Sequence, residues 1–153
     1  MSKTFSFTRA VLVPYTAEQI FAVVDDVSSY QRFLPSCQGS GELSRVAEGA
    51  GQRVAGYMNI GIFGMGYRLE SNNLHTAPSH IDMNLSKGPF KFLRGHWHIT
   101  PMGKDGCKVS LDMQWQYDSA VLAMMLGQRF EGIASQLLDA FVTETARRAR
   151  VVA

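Results

Sequence analysis

The feature that constrains this fold most is a change in hydrophobic period along the chain. Apolar and polar residues alternate in consecutive segments, at 40–48, 52–62, 65–75, 79–87, 91–101 and 106–117. Near the C-terminus, Leu126, Phe130, Ile133, Leu137 and Phe141 recur at spacings of three and four instead. Alternation is typical of strands covered on one face, and the second spacing is typical of an amphipathic helix. The sequence therefore predicts an antiparallel sheet packed against one C-terminal helix.

The N-terminal part predicts one further strand and two short helices. Residues 5–13 alternate loosely as a strand, which Pro14 ends. A capping box at 16–19 opens a helix over 16–27, and a second short helix stops before Pro35. Turn signals between the later strands are Gly49-Ala50-Gly51, Phe63-Gly64, Ala77-Pro78, Gly88-Pro89 and Gly103-Lys104-Asp105-Gly106.

A long helix is predicted from Asp118, its N-cap, without a break to about Arg150. At ~1.5 Å per residue it is roughly 45–50 Å long, whereas a ten-residue strand spans only ~33 Å, so it can cross a concave sheet. Glycines that permit bends lie at 56, 61, 64, 66 and 95. We predict a single α+β domain over residues 1–153. Its curved antiparallel sheet of about seven strands surrounds a long C-terminal helix, with two short helices after strand 1.

Large apolar side chains are predicted to line a cavity between this helix and the sheet. The predicted lining residues are Met58, Ile60, Ile62, Met83, Leu85, Trp97, Met113, Trp115, Met125, Phe130, Ile133 and Leu137. Methionine fills irregular gaps, which suits a wall that adapts to a ligand. Phe33 and Leu34, beside Pro35, are predicted to form the rim. A closed core without a cavity fits the same composition equally well, with Phe33 and Leu34 completing that core.

Composition excludes several classes of protein. A chain of 153 residues, 46% of them hydrophobic, can bury a core without disulfides or metals. A net charge of +2 is too small to indicate nucleic-acid binding by itself, and no DNA partner is expected. Cys37 and Cys107 are expected to be reduced thiols. The N-terminus has no apolar signal core and no stretch approaches ~20 apolar residues, so the protein is expected in the cytoplasm.

The residues predicted to face the cavity do not indicate an enzyme. Acid–base or nucleophilic catalysis needs polar groups that converge on the substrate. Polar candidates for the interior are limited to Arg9, Tyr67, Ser71 and Tyr117. No Ser/His/Asp or Cys/His arrangement is evident, so we expect no catalysis.

Two histidines raise the question of a metal site. His96 and His98 share one face of a predicted strand, on either side of Trp97. Zinc sites in proteins need at least a third ligand. His75 and His80 belong to other predicted strands, so no metal site is predicted.

Basic residues are predicted to form a surface for a partner. The candidates are Lys87, Lys91, Arg94, Arg147 and Arg148, accompanied by Lys104, Lys108 and Arg150. Such a surface suits phosphate contacts with ribosomal RNA, or transient contact with anionic membrane lipids. A solvated face without a partner fits the same residues. Asp25 and Asp26 are expected on a solvated helix face or in the C-terminal turn of that helix.

Six segments together resemble a known family. They are VLVPY (11–15), EQIF (18–21), VDDVSSY (24–30), FLPSC (33–37), GPFKFL (88–93) and HW (96–97). In this order and spacing they resemble the START-like, helix-grip proteins of the polyketide cyclase/dehydrase and coenzyme Q-binding family. The resemblance is strongest to the bacterial branch of ribosome association toxins, RatA. Ser36 stands where the family often has a bulkier residue.

The resemblance implies the helix-grip fold, which birch-pollen allergens share, and more than one function. Mitochondrial relatives bind ubiquinone and support its use in respiration. The bacterial branch is described as a toxin that binds the large ribosomal subunit and blocks 70S association, and distant relatives are polyketide cyclases or aromatases. We expect non-catalytic binding of a hydrophobic ligand, ubiquinone or a related isoprenoid, that supports respiratory electron transport and needs no further cofactor. The toxin and the cyclase are the alternatives.

Overall fold

An antiparallel sheet of seven strands forms the frame of the structure, a computed structural model that describes residues 3–62 and 64–152. The strands are β1 (Phe5–Val13), β2 (Cys37–Glu48), β3 (Gly51–Ile62), β4 (Met65–Thr76), β5 (His80–Lys87), β6 (Phe90–Met102) and β7 (Gly106–Tyr117). They follow the order β1-β7-β6-β5-β4-β3-β2, so the first strand pairs with the last.

Four α-helices accompany the sheet in the described part of the chain. They are α1 (Ala17–Asp25), α2 (Tyr30–Phe33), α3 (Ala120–Leu126) and α4 (Phe130–Val152). Turns of 3-10 helix lie at Val27–Ser29 and Gly127–Arg129. The predicted fold class is confirmed, with strand ends within a few residues of the predicted ones. Phe63, half of one predicted turn, lies outside the described residues.

The capping box that the sequence predicts opens α1. The backbone N–H of Gln19 donates to the Thr16 hydroxyl (3.2 Å), and the Thr16 N–H donates to the Gln19 side chain (2.8 Å). These two bonds satisfy backbone groups that the first turn of a helix leaves free. Ile20 and Val23 are then buried against the core. The helix ends at Asp25, two residues before the predicted end.

The C-terminal helix is not continuous, which corrects the prediction of one helix from Asp118 to Arg150. Ser119 is the N-cap of α3, and its hydroxyl accepts from two backbone N–H groups at 3.2 and 3.3 Å. Gly127 then takes φ +46° and ψ −128°, a backbone conformation that ends α3 and that glycine adopts without steric cost. The Tyr117 hydroxyl donates to the Gly127 carbonyl at 2.7 Å and holds this turn against β7.

Directed polar contacts hold α4 across the concave face of the sheet. Arg9 of β1 donates to the Ser135 carbonyl (3.0 Å) and hydroxyl (2.8 Å) and forms an ion pair with Asp139 (2.8 Å). Near the helix C-terminus, Arg148 pairs with Asp26 at 3.2 Å. A further bond joins Arg148 to the Ser29 hydroxyl at 3.0 Å. The helix is therefore fixed along its length to β1 and to the segment that follows α1.

The apolar side of α4 completes the core. Phe130, Ala134, Leu138 and Phe141 are at most 4% exposed. The opposite side is polar, as expected for an amphipathic helix. Among residues 3–62 and 64–152, none of the helices combines the length and the apolar composition needed to cross a bilayer.

Replacing Gly127 by alanine should destabilise the protein, because an L side chain avoids the backbone conformation found there. We expect the free energy of unfolding, measured in urea, to fall by about 1–3 kcal/mol. Gly132→Ala is the matched control, since Gly132 lies within α4 and a Cβ there meets no atom within 4 Å. That control should gain about 0.5–1 kcal/mol from helix propensity. Equal effects of the two substitutions would contradict this account of the helix break.

Replacing Glu144 by glutamine should destabilise the protein in a pH-dependent manner. The Arg147 guanidinium lowers the pKa of Glu144 to about 2, against burial that raises it and with help from Arg148. Because the folded pKa lies below the ordinary value of 4.5, the carboxylate stabilises the fold above pH 4.5. That contribution is lost as the pH falls towards 2.

We expect Glu144→Gln to lower the free energy of unfolding by about 1–3 kcal/mol at pH 7, after allowance for the solvent around Arg147. At about pH 3 the loss should be less than half as large. Urea titrations at the two pH values measure the difference. Glu131→Gln, an exposed position in the first turn of α4, is the control. A loss that is equal at both pH values would refute the coupling.

Candidate functional site

An apolar cavity lies between α4 and the concave face of the sheet. It has a volume of about 150 Å³ and is partly open to solvent. Strands β3 to β7, α4 and the segment around Leu34 provide the walls. A hollow is therefore present where the alternation of the strands predicted one.

Most of the residues predicted to line the cavity do so. They are Leu34, Met58, Ile60, Ile62, Met83, Leu85, Trp97, Met113, Phe130, Ile133 and Leu137. Their contact with a ligand stays a prediction. Sequence reasoning missed Leu69, Leu93 and Leu111, which also line the cavity. A usable signal was present, because residues at even spacings along a strand lie on the same face, and these leucines share their face with residues predicted to point inwards.

Trp115 and Met125, predicted to line the cavity, and Phe33, predicted for its rim, lie outside the cavity wall. Trp115 is fully buried and packs between Phe5 and Phe130, with ring centroids 5.9 and 5.2 Å apart. Phe33 packs edge-on against two neighbouring aromatic rings. Met125 is 50% exposed, because α3 ends at the following glycine turn and does not continue into α4. These three residues support the core or face solvent.

Few polar groups face the cavity, and two of them have partners. The Asn73 side-chain oxygen accepts from the backbone N–H of Asn84 at 3.2 Å. The Tyr30 hydroxyl donates to the Val24 carbonyl, and burial raises the pKa of Tyr30, so the phenol stays neutral. Ser71 adds one hydroxyl to the wall. Within the described ranges, no Asp, Glu, His, Lys or Arg side chain lines the cavity.

The other polar residues predicted for the interior have structural roles. Arg9 binds α4 through Ser135, and the Tyr117 hydroxyl binds the carbonyl of the turn between α3 and α4. The Tyr67 hydroxyl faces the Met65 sulfur at 3.7 Å. The placement of Arg9, Tyr67 and Tyr117 inside the cavity was therefore wrong. Alternation gives the face of a strand, but it cannot say which position along the strand is covered by the helix.

Gly95 keeps room at the cavity wall for the side chains of two methionines. A Cβ at this position would lie 2.8 Å from the Met83 methyl and 3.1 Å from Met113 Cγ. It would also approach the Asp112 carbonyl to 2.8 Å. These distances are shorter than ordinary van der Waals contact. The methionine side chains at this part of the wall therefore depend on the missing side chain of residue 95.

Both cysteines are unreactive because they are buried. Cys37 and Cys107 are free and buried, and burial raises the pKa of each thiol. Since the thiolate is the nucleophile, such thiols react slowly at neutral pH. Both side chains pack in the hydrophobic core.

A polar network that the sequence did not reveal lies beside α1. His75 is 3% exposed, and its Nδ1 donates to the Asp25 carboxylate at 2.7 Å. Arg45 donates to the same carboxylate at 3.1 Å. Burial raises the pKa of Asp25, but the bonds from His75 and Arg45 outweigh it, and the pKa lies below its ordinary value. Asp25 lies in the C-terminal turn of α1, one of the two positions predicted for it, and Asp26 is half-exposed and bound to Arg148.

The residues predicted as one basic surface are divided between two sides of the sheet. Arg147 and Arg148 belong to α4, on the concave side, and both bind Glu144. Arg94 is on the outer face, where it donates to the Gln114 side chain. Lys87 is 4.0 Å from Glu70. Lys91 is exposed on β6. The two arginines of α4 and Arg94 therefore do not form one continuous patch.

Comparison with known proteins agrees with this architecture. The ribosome association toxin RatA of Vibrio cholerae is 34% identical over 145 residues, which are 95% of each chain. The mitochondrial coenzyme Q-binding protein COQ10 of Drosophila melanogaster is 26% identical over 146 residues, covering 93% of this chain and 59% of that protein. The ZhuI aromatase/cyclase from Streptomyces sp. R1128 shares the fold, with a TM-score of 0.81 at 16% identity over 98% of both chains.

These relatives carry names of binding proteins, toxins and enzymes, so the fold is common to several functions. The apolar cavity and the family both support a START-like domain that binds a hydrophobic ligand. The family model described as polyketide cyclase/dehydrase and lipid transport matches residues 13–142. The chain therefore belongs to the polyketide cyclase/dehydrase and lipid transport family.

Proposed function

We propose that this protein binds a quinone with an isoprenoid tail, ubiquinone or a close relative, without chemical change and presents it to respiratory enzymes from the cytoplasm. One observation carries the proposal. The cavity under α4 is apolar, and the part of its wall that the structure describes holds no Asp, Glu, His, Lys or Arg side chain. Binding of an apolar molecule needs such a wall, whereas cyclisation needs groups that move protons.

The size of the cavity supports a ring-shaped head group. An enclosed apolar cavity of roughly 150 Å³ admits a molecule of the size of benzene. The cavity has this volume, and because it is partly open to solvent, a chain attached to the ring could extend out of it. Burying an isoprenoid tail there contributes about 0.8 kcal/mol per methylene, before ordering costs. The ring would lie against Trp97 and Met113, with the tail along Ile133 and Leu137.

The few polar groups of the wall fit a quinone better than a hydroxylated or charged ligand. A quinone presents two carbonyl acceptors and no charge, so one donor is enough to orient it. The Ser71 hydroxyl lies in the wall and can donate to a carbonyl. A charged ligand would lose its hydration without a partner for its charge, which costs several kcal/mol.

An exposed apolar helix beside the cavity suggests how the ligand is exchanged. Val121, Met124 and Met125 of α3 are 62%, 84% and 50% exposed. The helix is followed, after one 3-10 turn, by Phe130, which lines the cavity. An apolar surface of this kind favours contact with a lipid bilayer. We propose transient membrane contact through α3 during loading and release.

Filling the cavity should abolish quinone binding. Ile133→Trp places a large ring in the cavity, while Gln136→Trp adds the same ring to the exposed side of α4. Binding of a short-chain ubiquinone is measured by calorimetric titration, because each variant adds a tryptophan that would mask the fluorescence of Trp97 in the cavity wall. We expect Gln136→Trp to keep the parent affinity and Ile133→Trp to lose at least tenfold. Each variant's thermal melt controls for folding.

The same proteins also provide a test with the cell's own ligand. Organic extraction of purified protein and mass spectrometry should recover a quinone from the parent and from Gln136→Trp, and not from Ile133→Trp. Protein that is empty and takes up no added quinone would rule out the proposal.

A second candidate function is association with the large ribosomal subunit. Its support is the name of the relative from Vibrio cholerae, which matches at 34% identity over almost the whole chain. The exposed lysines Lys87 and Lys91 near the turn between β5 and β6 are candidate phosphate contacts. On this reading the cavity is an inherited feature of the family, and the surface carries the activity.

Overexpression should then reduce 70S particles in a sucrose gradient. Lys87→Glu combined with Lys91→Glu should relieve the reduction, because reversed charges repel ribosomal phosphates. Ile133→Trp changes only the cavity and should leave the reduction intact. A gradient that overexpression does not change would remove this candidate, and a loss with Ile133→Trp alone would tie the effect to the ligand.

A further inference from the structure

The outer face of the sheet carries a cluster of metal-ligand side chains that the cavity does not use. In the register of β5 and β6, His80 lies opposite His98, and Asp82 lies opposite His96. All four side chains are exposed on the same face. From the sequence alone, His96 and His98 had no third metal ligand. The strand register supplies that third imidazole from His80.

Contacts within the cluster are those that orient imidazoles around metals. The rings of His80 and His98 stack with centroids 4.5 Å apart. The Nδ1 atom of His96 is 2.6 Å from the Asp82 carboxylate. Likewise, the His80 Nδ1 is 2.7 Å from the Ser79 hydroxyl. In metal sites, a carboxylate or other oxygen on one ring nitrogen fixes the ring and leaves the other nitrogen to bind the metal.

The spacing of the three histidines fits one ion. Residues directly opposite on antiparallel strands have Cβ atoms about 4.5–5.5 Å apart, and diagonal neighbours about 7–8 Å, within reach of long side chains. His80 and His98 are directly opposite, and His80 and His96 are diagonal. In the ranges 3–62 and 64–152, no three ligand side chains surround a common point as they stand. Because these imidazoles are exposed, rotation about their side-chain bonds is enough to bring them together.

We propose that His80, His96 and His98 bind one Zn²⁺ ion on the outer face of the sheet, with Asp82 orienting His96. Three neutral imidazoles and a water molecule are an established tetrahedral ligand set for zinc. The strand backbones hold the three Cα atoms in place, so binding requires no change in fold. The site lies behind Trp97, whose side chain points to the opposite face and lines the cavity.

Calorimetric titration of the tag-free protein with zinc chloride tests the proposal. We expect one zinc ion per chain and a rise in melting temperature, because the ion binds only the folded form. His80→Ala and His98→Ala should each weaken binding at least tenfold, and Asp82→Asn by about 10–100-fold through the orientation of His96. Asn84→Ala, on the same face of β5 beyond Asp82, is the matched control and should bind as the parent does.

Absence of zinc binding at millimolar concentration would overturn the proposal, as would binding that His80→Ala and His98→Ala leave unchanged. Circular dichroism of each variant shows whether it is folded. The substitutions are exposed and lie on the face away from the cavity, so we expect them to leave the fold and quinone binding intact. The zinc site and the proposed function can therefore fail independently.

Discussion

The position of α4 over the sheet is the constraint on which the cavity depends. Arg9 fixes the helix to β1 through Ser135 and Asp139, and Arg148 fixes its far end to Asp26. Protein interiors normally pack to the density of organic crystals, so a helix free to settle would fill the space beneath it. Directed hydrogen bonds and ion pairs instead hold α4 at a set distance. The hollow under Ile133 and Leu137 is the consequence.

The chemistry of the cavity follows from where the polar groups are used. Two polar side chains that were predicted for the interior are bound elsewhere: Arg9 donates to the Ser135 carbonyl of α4, and the Tyr117 hydroxyl donates to the Gly127 carbonyl. What remains facing the cavity is mainly apolar surface, with Tyr30, Ser36, Tyr57, Ser71 and Asn73 as the polar residues of the described wall. The same fold is shared by proteins named as a cyclase and as a coenzyme Q-binding protein. Acid–base catalysis in such a cavity needs side chains that move protons. Whether such a protein catalyses a reaction or only binds its ligand depends on a few side chains, and the overall architecture does not determine it.

The sequence predicted the strands well and the long-range contacts poorly, for physical reasons. Alternation in β6 and β7 is set by burial of one face, so it is visible in each strand separately. The break at Gly127 was missed because an apolar stripe continues on both sides of it, and only the backbone angle shows the turn. The Asp25–His75 pair was missed because the two residues are fifty positions apart. Likewise, only the register of β5 and β6 shows that His80 lies opposite His98.

The most direct test of the central claim follows the methyl groups of the methionines by NMR during titration with a short-chain ubiquinone. Met58, Met83 and Met113 line the cavity, whereas Met102 and Met124 are exposed elsewhere. The account predicts large shifts of the three cavity methyls with saturation at one ligand per chain, and none for Met102. Saturating quinone that leaves Met58, Met83 and Met113 unshifted would contradict it.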